Sequence, residues 1–236
     1  MSRLRGVLHD PLLSVVMPVF NEASTIDEIV RRVLAVPLRI QLIVVDDAST
    51  DGSREMLQRL QQELGFTLLL QPHNQGKGAA LRRGFQEVRG DIVVIQDADL
   101  EYSPEEFPDL IDLICTGRAD VVYGSRFLGR HRVFLFSHYL GNRLLTLVTN
   151  VLYNTILTDM ETCYKVMRVN VLRSITLRSD GFGIEPELTA KIFKRGYRVY
   201  EVPITYDGRG YDEGKKITWR DGVVALWVLL KYRFRE

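Results

Sequence analysis

Five short, largely apolar runs punctuate the first half of the chain. They are LLSVVMPVF (12–20), IQLIVVDD (40–47), FTLLLQ (66–71), DIVVIQ (91–96) and ADVVYGS (119–125). The stretches between them carry apolar residues at helical spacing and begin with helix-start residues. One helix is expected from about Ser24 to Val36, where Thr25 and Glu28 have capping-box spacing. A second follows STDGS, and a third is opened by the glycines of GKGAALRRGFQEV. Strands that are apolar throughout must be covered on both faces. Alternating with helices, they specify an α/β fold with a mostly parallel sheet flanked by helices.

The second half has a different rhythm. Residues 137–157 read as a helix that is apolar on more than one side, and 161–168 as a short strand. A helix over 184–196, a strand over 197–206 and an amphipathic C-terminal helix over 219–235 follow. No repeat, low-complexity segment or linker divides the chain, so residues 1–236 are expected to form a single domain.

Charge and length exclude some classes of partner. The formal net charge is +1, which predicts no nucleic-acid partner. From Lys191 to Glu236, however, eleven Lys or Arg face six Asp or Glu. Such a local excess suits an anionic substrate, an anionic membrane surface or simply a solvated face. Two distant cysteines, Cys115 and Cys163, fit a reducing compartment. The N-terminus lacks the apolar core of a signal peptide, and no run nears the roughly 20 apolar residues that span a bilayer. A cytoplasmic protein is expected, with contact to a membrane surface open.

Ligands of open parallel sheets sit at the carboxyl ends of the strands. Here those ends read PVFNE, DDASTDG, HNQGKGAA and QDADLEY. In the last, Asp97 and Asp99 alternate, so both carboxylates can converge on one cation, with Glu101 at the same spacing as a third ligand. Oxygen ligands of this kind suit Mg2+ or Mn2+. The acids are not needed as helix caps, because SPEE offers Ser103 as N-cap, Pro104 at the first position and Glu106 to complete a capping box. Gly76, Lys77 and Gly78 at a helix start favour an anion. Asp46 and Asp47 offer acceptors for a base or ribose, while Asp47 and Ser49 also suit a turn and a helix cap. The cationic segment RGYDEGKK, with Arg209, Lys215 and Lys216, suits phosphate. Glu185 and Glu187 in GFGIEPEL include a possible general base, or act as helix N-terminal acids.

Taken in order, SVVMPVFNE, LIVVDDASTDGS, NQGKGAALRRG and DIVVIQDADLEY resemble the family 2 glycosyltransferases of the GT-A, Rossmann-like fold. GSR, DMETCYKVMR, GFGIEPELTAKIFKRGYRVYEVPITY and GRGYDEGKKITWRDG resemble the branch of dolichol-phosphate mannose and glucose synthases. The resemblance covers nearly the whole chain. It implies a nucleotide-sugar half at about 12–125 and an acceptor half at about 126–236. It places Pro18, Phe20, Asn21 and Glu22 beside the nucleotide, Asp47 and Asp46 at the base or ribose, and Asp97 and Asp99 at the metal and diphosphate. Arg126, Arg209, Lys215 and Lys216 would face phosphate groups. Glu101 stands where the mannose synthases often have Gln, which weakens an assignment to mannose.

The activity so implied is inverting, metal-dependent transfer of a mannose- or glucose-type sugar. The donor is a nucleoside-diphosphate sugar (GDP or UDP) and the acceptor a polyprenyl phosphate at the cytoplasmic face of a membrane. A phosphate dianion needs cations rather than a base, whereas a hydroxyl acceptor needs a base. Aromatic residues interleaved with basic ones at 130–143 and 219–235 suit a membrane interface or, for Trp227 and Leu229, core packing. A hydroxyl acceptor, a sugar nucleotidylyltransferase and a non-catalytic binding module remain as alternatives. The second lacks its expected Gly-rich loop after the first strand.

Overall fold

A computed structural model describes residues 6–130, 132, 136–208 and 219–235, with the side chain of Ser137 excepted. Arg209, Lys215 and Lys216, expected at phosphate groups, lie outside the described residues.

The five apolar runs all form strands. β1 (Leu12–Val19), β2 (Arg39–Asp46), β3 (Thr67–Leu70), β4 (Ile92–Ile95) and β5 (Val121–Ser125) alternate with α1 (Ile26–Ala35), α2 (Ser53–Leu64), α3 (Lys77–Phe85) and α4 (Phe107–Cys115). The second half adds α5 (Phe136–Tyr153), β6 (Lys165–Arg168), α6 (Val169–Ser174), α7 (Ile184–Lys194), β7 (Val199–Pro203) and α8 (Trp219–Phe234). All seven strands join one sheet in the order β3-β2-β1-β4-β6-β5-β7. Its pairs are parallel except at β6, which runs antiparallel to both β4 and β5. The expected α/β sheet, mostly parallel and flanked by helices, is therefore present.

The sheet is buried on both faces. Val15, Val16, Ile43, Val44, Ile92, Val93, Val121 and Val122 are all fully enclosed. Helices α1 and α4 supply Ile26, Ile29, Val30, Phe107 and Leu110 to the same core, and α7 adds Ile184 and Leu188. Gly84 lets α3 approach the sheet, since a Cβ there would meet Val16 and Val45 side chains.

Two local expectations are corrected. The Thr25–Glu28 capping box does not form: Thr25 Oγ1 donates instead to Ala98 O (2.8 Å) and Glu22 O (3.2 Å). The Ser103–Glu106 box does not form either. Ser103 begins a short 3-10 turn without a side-chain cap, and Glu106 Oε1 accepts from Thr205 N at 2.8 Å. In both cases a polar side chain bonds across the site end of the sheet rather than back to its own helix.

Candidate active site

The loops at the carboxyl ends of β1, β2, β3 and β4 are stitched together before any ligand is considered. From the β1 loop, Asn21 N donates to Ser49 Oγ (3.0 Å), Glu22 N to Ser53 Oγ (2.8 Å) and Ala23 N to Asp51 Oδ2 (3.0 Å). Asn21 Oδ1 accepts from Thr50 N at 2.8 Å, and Asn21 holds a left-handed φ of 54° to do so. Pro18 and Phe20 flank this loop, partly exposed. The four residues expected beside the nucleotide thus stand on one rigid rim.

The two acids of DDAST serve the frame. Asp46, fully buried, pairs with Arg54 Nε at 2.6 Å and accepts from Ser49 N at 3.3 Å. Asp47 Oδ1 accepts from Gln71 Nε2 (2.6 Å) and Gln75 N (2.8 Å), and its Oδ2 from Gly76 N (2.7 Å). The expected turn-and-cap role of Asp47 toward α2 is therefore replaced by an anchor for the loop that enters α3. That loop is also covered from above. Ala79 N donates to Asp180 O at 2.9 Å, and a Cβ on Gly76 or Gly78 would run into the backbone of residues 179–181. At the position where an anion was expected, both glycines admit neighbouring backbone, and the N–H groups of Gly76 and Ala79 are bonded to Asp47 and Asp180.

Lys77 is where this frame meets charge. Its Nζ lies 2.9 Å from the Asp97 carboxylate and 2.8 Å from Glu185 Oε1, with side-chain exposures of 15%, 20% and 5% respectively. Burial works against the charged amine, but Asp97 and Glu185 outweigh it and hold Lys77 protonated well above its ordinary range. Cys163 packs against Asp97, and burial followed by that carboxylate keeps its thiol protonated.

The acidic loop after β4 departs from the three-ligand expectation. Asp99 Oδ1 accepts from Glu101 N at 3.1 Å, with Leu100 between them at φ 61°. Glu101 turns away: its Oε2 accepts from Tyr206 OH at 2.6 Å and its backbone O from Asp207 N at 3.1 Å. Among the described residues no three His, Cys, Asp or Glu side chains group to hold a metal. The protein offers two carboxylates, Asp97 and Asp99, beside a thiol that stays protonated. Such an oxygen pair fits Mg2+ or Mn2+, which retain water and substrate phosphate as their remaining ligands.

The expected base and phosphate residues diverge. Glu187 accepts from Arg178 N (3.0 Å), Ser179 N (2.7 Å) and Lys191 Nζ, and is fully buried. Burial raises its carboxyl pKa, yet these hydrogen bonds prevail and lower it, so Glu187 is an anchor and not a base. Arg126 is already paired: its Nε and Nη2 each reach the buried Asp159 at 2.7 Å. Its guanidinium also lies 5.2 Å over the Tyr206 ring. Asp159 is positioned in turn by Glu201, whose carboxylate accepts from Thr158 N (2.9 Å) and Asp159 N (3.1 Å).

Sequence reasoning quoted DMETCYK (159–165) for its resemblance and gave its residues no site role, yet Asp159 pairs with Arg126 and Cys163 meets Asp97. Lys165 Nζ donates to Met160 O (2.8 Å) and Thr162 O (2.5 Å) and lies 4.8 Å from the Tyr123 ring. Burial lowers its pKa, partly countered by Glu185, Glu161 and Asp159. Burial, then Glu185, pushes the Glu161 carboxyl up to about 7. The signal was available: charges inside a buried strand approach mark 159–165 as they mark Asp97 and Asp99.

The profile described as glycosyl transferase family 2 matches residues 14–176 of the chain. The protein belongs to this family. A dolichol-phosphate mannosyltransferase of Pyrococcus furiosus is 30% identical over 209 residues, covering 86% of this chain and 58% of the relative. An undecaprenyl-phosphate mannosyltransferase of Micrococcus luteus is 30% identical over 209 residues, covering 85% of each. The chain spans little more than half of the Pyrococcus relative. Among solved structures, glucosyl-3-phosphoglycerate synthase from Mycobacterium tuberculosis, in complex with Mn2+, uridine diphosphate and phosphoglyceric acid, superposes with a TM-score of 0.75. The identity is 22%, and the match covers 96% of this chain and 80% of that one. The GT-A arrangement expected from the sequence is thus the fold of this family 2 glycosyltransferase.

Proposed function

We propose that the chain transfers a mannose- or glucose-type sugar from a GDP- or UDP-sugar to a polyprenyl phosphate, peripherally, at the cytoplasmic face of a membrane. The observation that carries the lipid acceptor is the pair of exposed apolar stripes on α5 and α8, two helices packed on one another with Tyr153 OH bonded to Leu229 O at 2.7 Å. On α5, Phe136, Leu140, Leu144, Leu147 and Val151 follow helical spacing and are all exposed. On α8, Trp219, Val223, Trp227, Leu230 and Phe234 do the same, Phe234 at 81%. Such stripes next to Arg143, Arg220, Lys231 and Arg233 suit an anionic lipid interface. No helix of the described residues is long and apolar enough to cross a membrane. The lipid names of the Pyrococcus and Micrococcus relatives support the same reading.

In this mechanism Asp97 and Asp99 hold Mg2+ or Mn2+, as the complex of the mycobacterial synthase with Mn2+ and uridine diphosphate also suggests. The ion, when bound, neutralises charge developing on the departing diphosphate. The rim of Pro18, Phe20, Asn21 and Glu22 faces the nucleotide. Lys77 adds a fixed positive charge beside the diphosphate while keeping Asp97 oriented. The acceptor phosphate attacks the anomeric carbon from the opposite side, and the bond to the nucleoside diphosphate breaks in the same step. The acceptor brings its own negative charge, which accords with a site where Glu185 is paired with Lys77 and Glu187 is fully bonded. Arg126, aimed by Asp159, receives acceptor phosphate together with Arg209, Lys215 and Lys216.

The test is incubation with radiolabelled UDP-glucose or GDP-mannose, Mn2+ and a short polyprenyl phosphate. A glycosylated lipid phosphate that is absent without metal is the expected product. Sugar transfer to a polyprenol or glycan hydroxyl instead, with none to the phosphate, overturns the reading.

A further inference from the structure

A cavity of about 560 Å3 lies between α3 and the stretch that runs from Val169 through α6 to Leu177. Arg82 and Arg83 line it from α3 and Arg173 from α6, and no acidic residue is among its lining. Residues 82, 83 and 86 form one stripe of α3, roughly on the opposite side of the helix axis from Lys77. None of the lining residues is one assigned above to nucleotide, metal or acceptor. We propose that this groove binds a soluble organic phosphate, a phosphate or diphosphate group carried on an apolar or aromatic body.

The guanidinium groups are unequally satisfied. Arg82 Nη1 donates to Arg178 O at 3.2 Å and Nη2 to Asp180, while its Nε is buried with no partner. A buried donor left unmet is costly, and an acceptor in the groove would relieve it. The Arg83 and Arg173 side chains have no hydrogen bond or ion pair among the described residues, although both line the same space. Like charges around one concavity repel one another and attract an anion. Planar guanidinium forks match carboxylate and phosphate alike. Three cations suit the −1.5 to −2 charge of a phosphate monoester better than a single carboxylate.

The rest of the lining describes the body of the ligand. Phe85, Leu172, Ile175 and Leu177 give the groove an apolar wall, and its volume falls in the range of small-molecule sites, roughly 300–1,000 Å3. These four are buried or half-buried, unlike the exposed stripes of α5 and α8. The groove therefore accepts a compact molecule and presents no apolar surface for a bilayer to cover. Gln71 and Gln75 close it toward the donor rim: Gln71 Nε2 donates to Asp47 Oδ1 at 2.6 Å, and Gln75 Nε2 to Gln71 Oε1 at 2.9 Å. An occupant thus meets the residues that anchor Asp47.

The experiment is calorimetric titration of the full chain with phenyl phosphate and with inorganic phosphate, in chelator, for the wild type, Arg83→Gln and Arg173→Gln. Chelator removes the metal through which the donor site is proposed to hold its phosphates. Saturable binding of phenyl phosphate is expected, at least about fivefold tighter than inorganic phosphate because the ring leaves water. Each variant should bind it at least about tenfold more weakly, the worth of one charge-assisted hydrogen bond. Both arginines are exposed and unpaired, so the melting temperatures should match that of the wild type. A wild type that does not bind phenyl phosphate, an affinity unchanged in both variants, or equal affinity for the two compounds overturns the proposal. Sedimentation with phosphatidic acid vesicles that depends on Arg83 and Arg173, without phenyl phosphate binding, also overturns it and makes the groove a lipid-headgroup site.

Discussion

Glu185 Oε1 lies 2.8 Å from Lys77 Nζ, and the same ammonium reaches Asp97 at 2.9 Å, so one cation joins a helix from each half of the chain at the end of β4. Removing one member of such a buried set leaves unpaired charge and typically costs about 3–5 kcal/mol. Lys77→Met should therefore lower stability in urea by that order. Millimolar Mn2+ should raise the melting temperature of the variant more than that of the wild type, because a cation at Asp97 replaces the missing charge. Equal melting of both proteins in chelator would refute this.

The Arg126–Asp159 pair makes a second prediction. Two 2.7 Å contacts to a fully buried carboxylate fix the guanidinium plane. Asp159→Asn should destabilise by about 3 kcal/mol in urea unfolding. Arg126→Lys should fail to preserve function, since an ammonium lacks the planar fork. In the transfer assay its defect should appear chiefly as a raised KM for polyprenyl phosphate. A KM that moves only for the sugar nucleotide would place Arg126 on the donor side instead.

Glu161 makes stability pH-dependent. Burial, then Glu185, raises its carboxyl from an ordinary 4.5 to about 7. An acid with a raised folded-state pKa contributes fully below its unfolded pKa and loses that contribution as pH rises through the folded one. The loss falls between about pH 4.5 and 7 and, at about 1.4 kcal/mol per unit, amounts to a few kcal/mol. Glu161→Gln carries no such proton. Its melting temperature should rise relative to the wild type from pH 5 to pH 7.5 and then level off. A constant gap across that range would remove Glu161 as the titrating group.

The apolar stripes can be tested without touching the site. Leu144 and Val223 are more than half exposed, so Leu144→Glu and Val223→Glu should leave the melting temperature almost unchanged. Both should reduce sedimentation with anionic liposomes. Binding of the wild type should weaken in high salt, since exposed charges are screened beyond about 8 Å at physiological ionic strength. Sedimentation that survives both substitutions would point to another surface.

What could be read in advance followed from local chemistry. Strands β1 to β5 were visible because runs such as IVVI have nowhere to go but a buried sheet. The direction of β6 was not, because its four residues KVMR carry no mark of whether they run with or against their neighbours. Asp46 and Asp47 were indistinguishable in the sequence, yet adjacent residues at a strand end point to opposite sides. One meets Arg54 and the other the loop into α3. Glu185 and Glu187 are two steps apart on a helix, about 200° around its axis. One faces Lys77 and the other Arg178 and Ser179. Which carboxylate is anchored depends on residues distant in sequence, and no local pattern encodes that.

The position of β6 bears on how such a protein can change. β5 is the last strand of the first half, yet its only ladder partners among the described residues are β6 and β7 from the second. A chain cut after residue 125 would leave β5 without a neighbour and β4 with an open edge. Exchange of either segment between related proteins should therefore succeed only where β6 of one parent fits both β4 and β5 of the other.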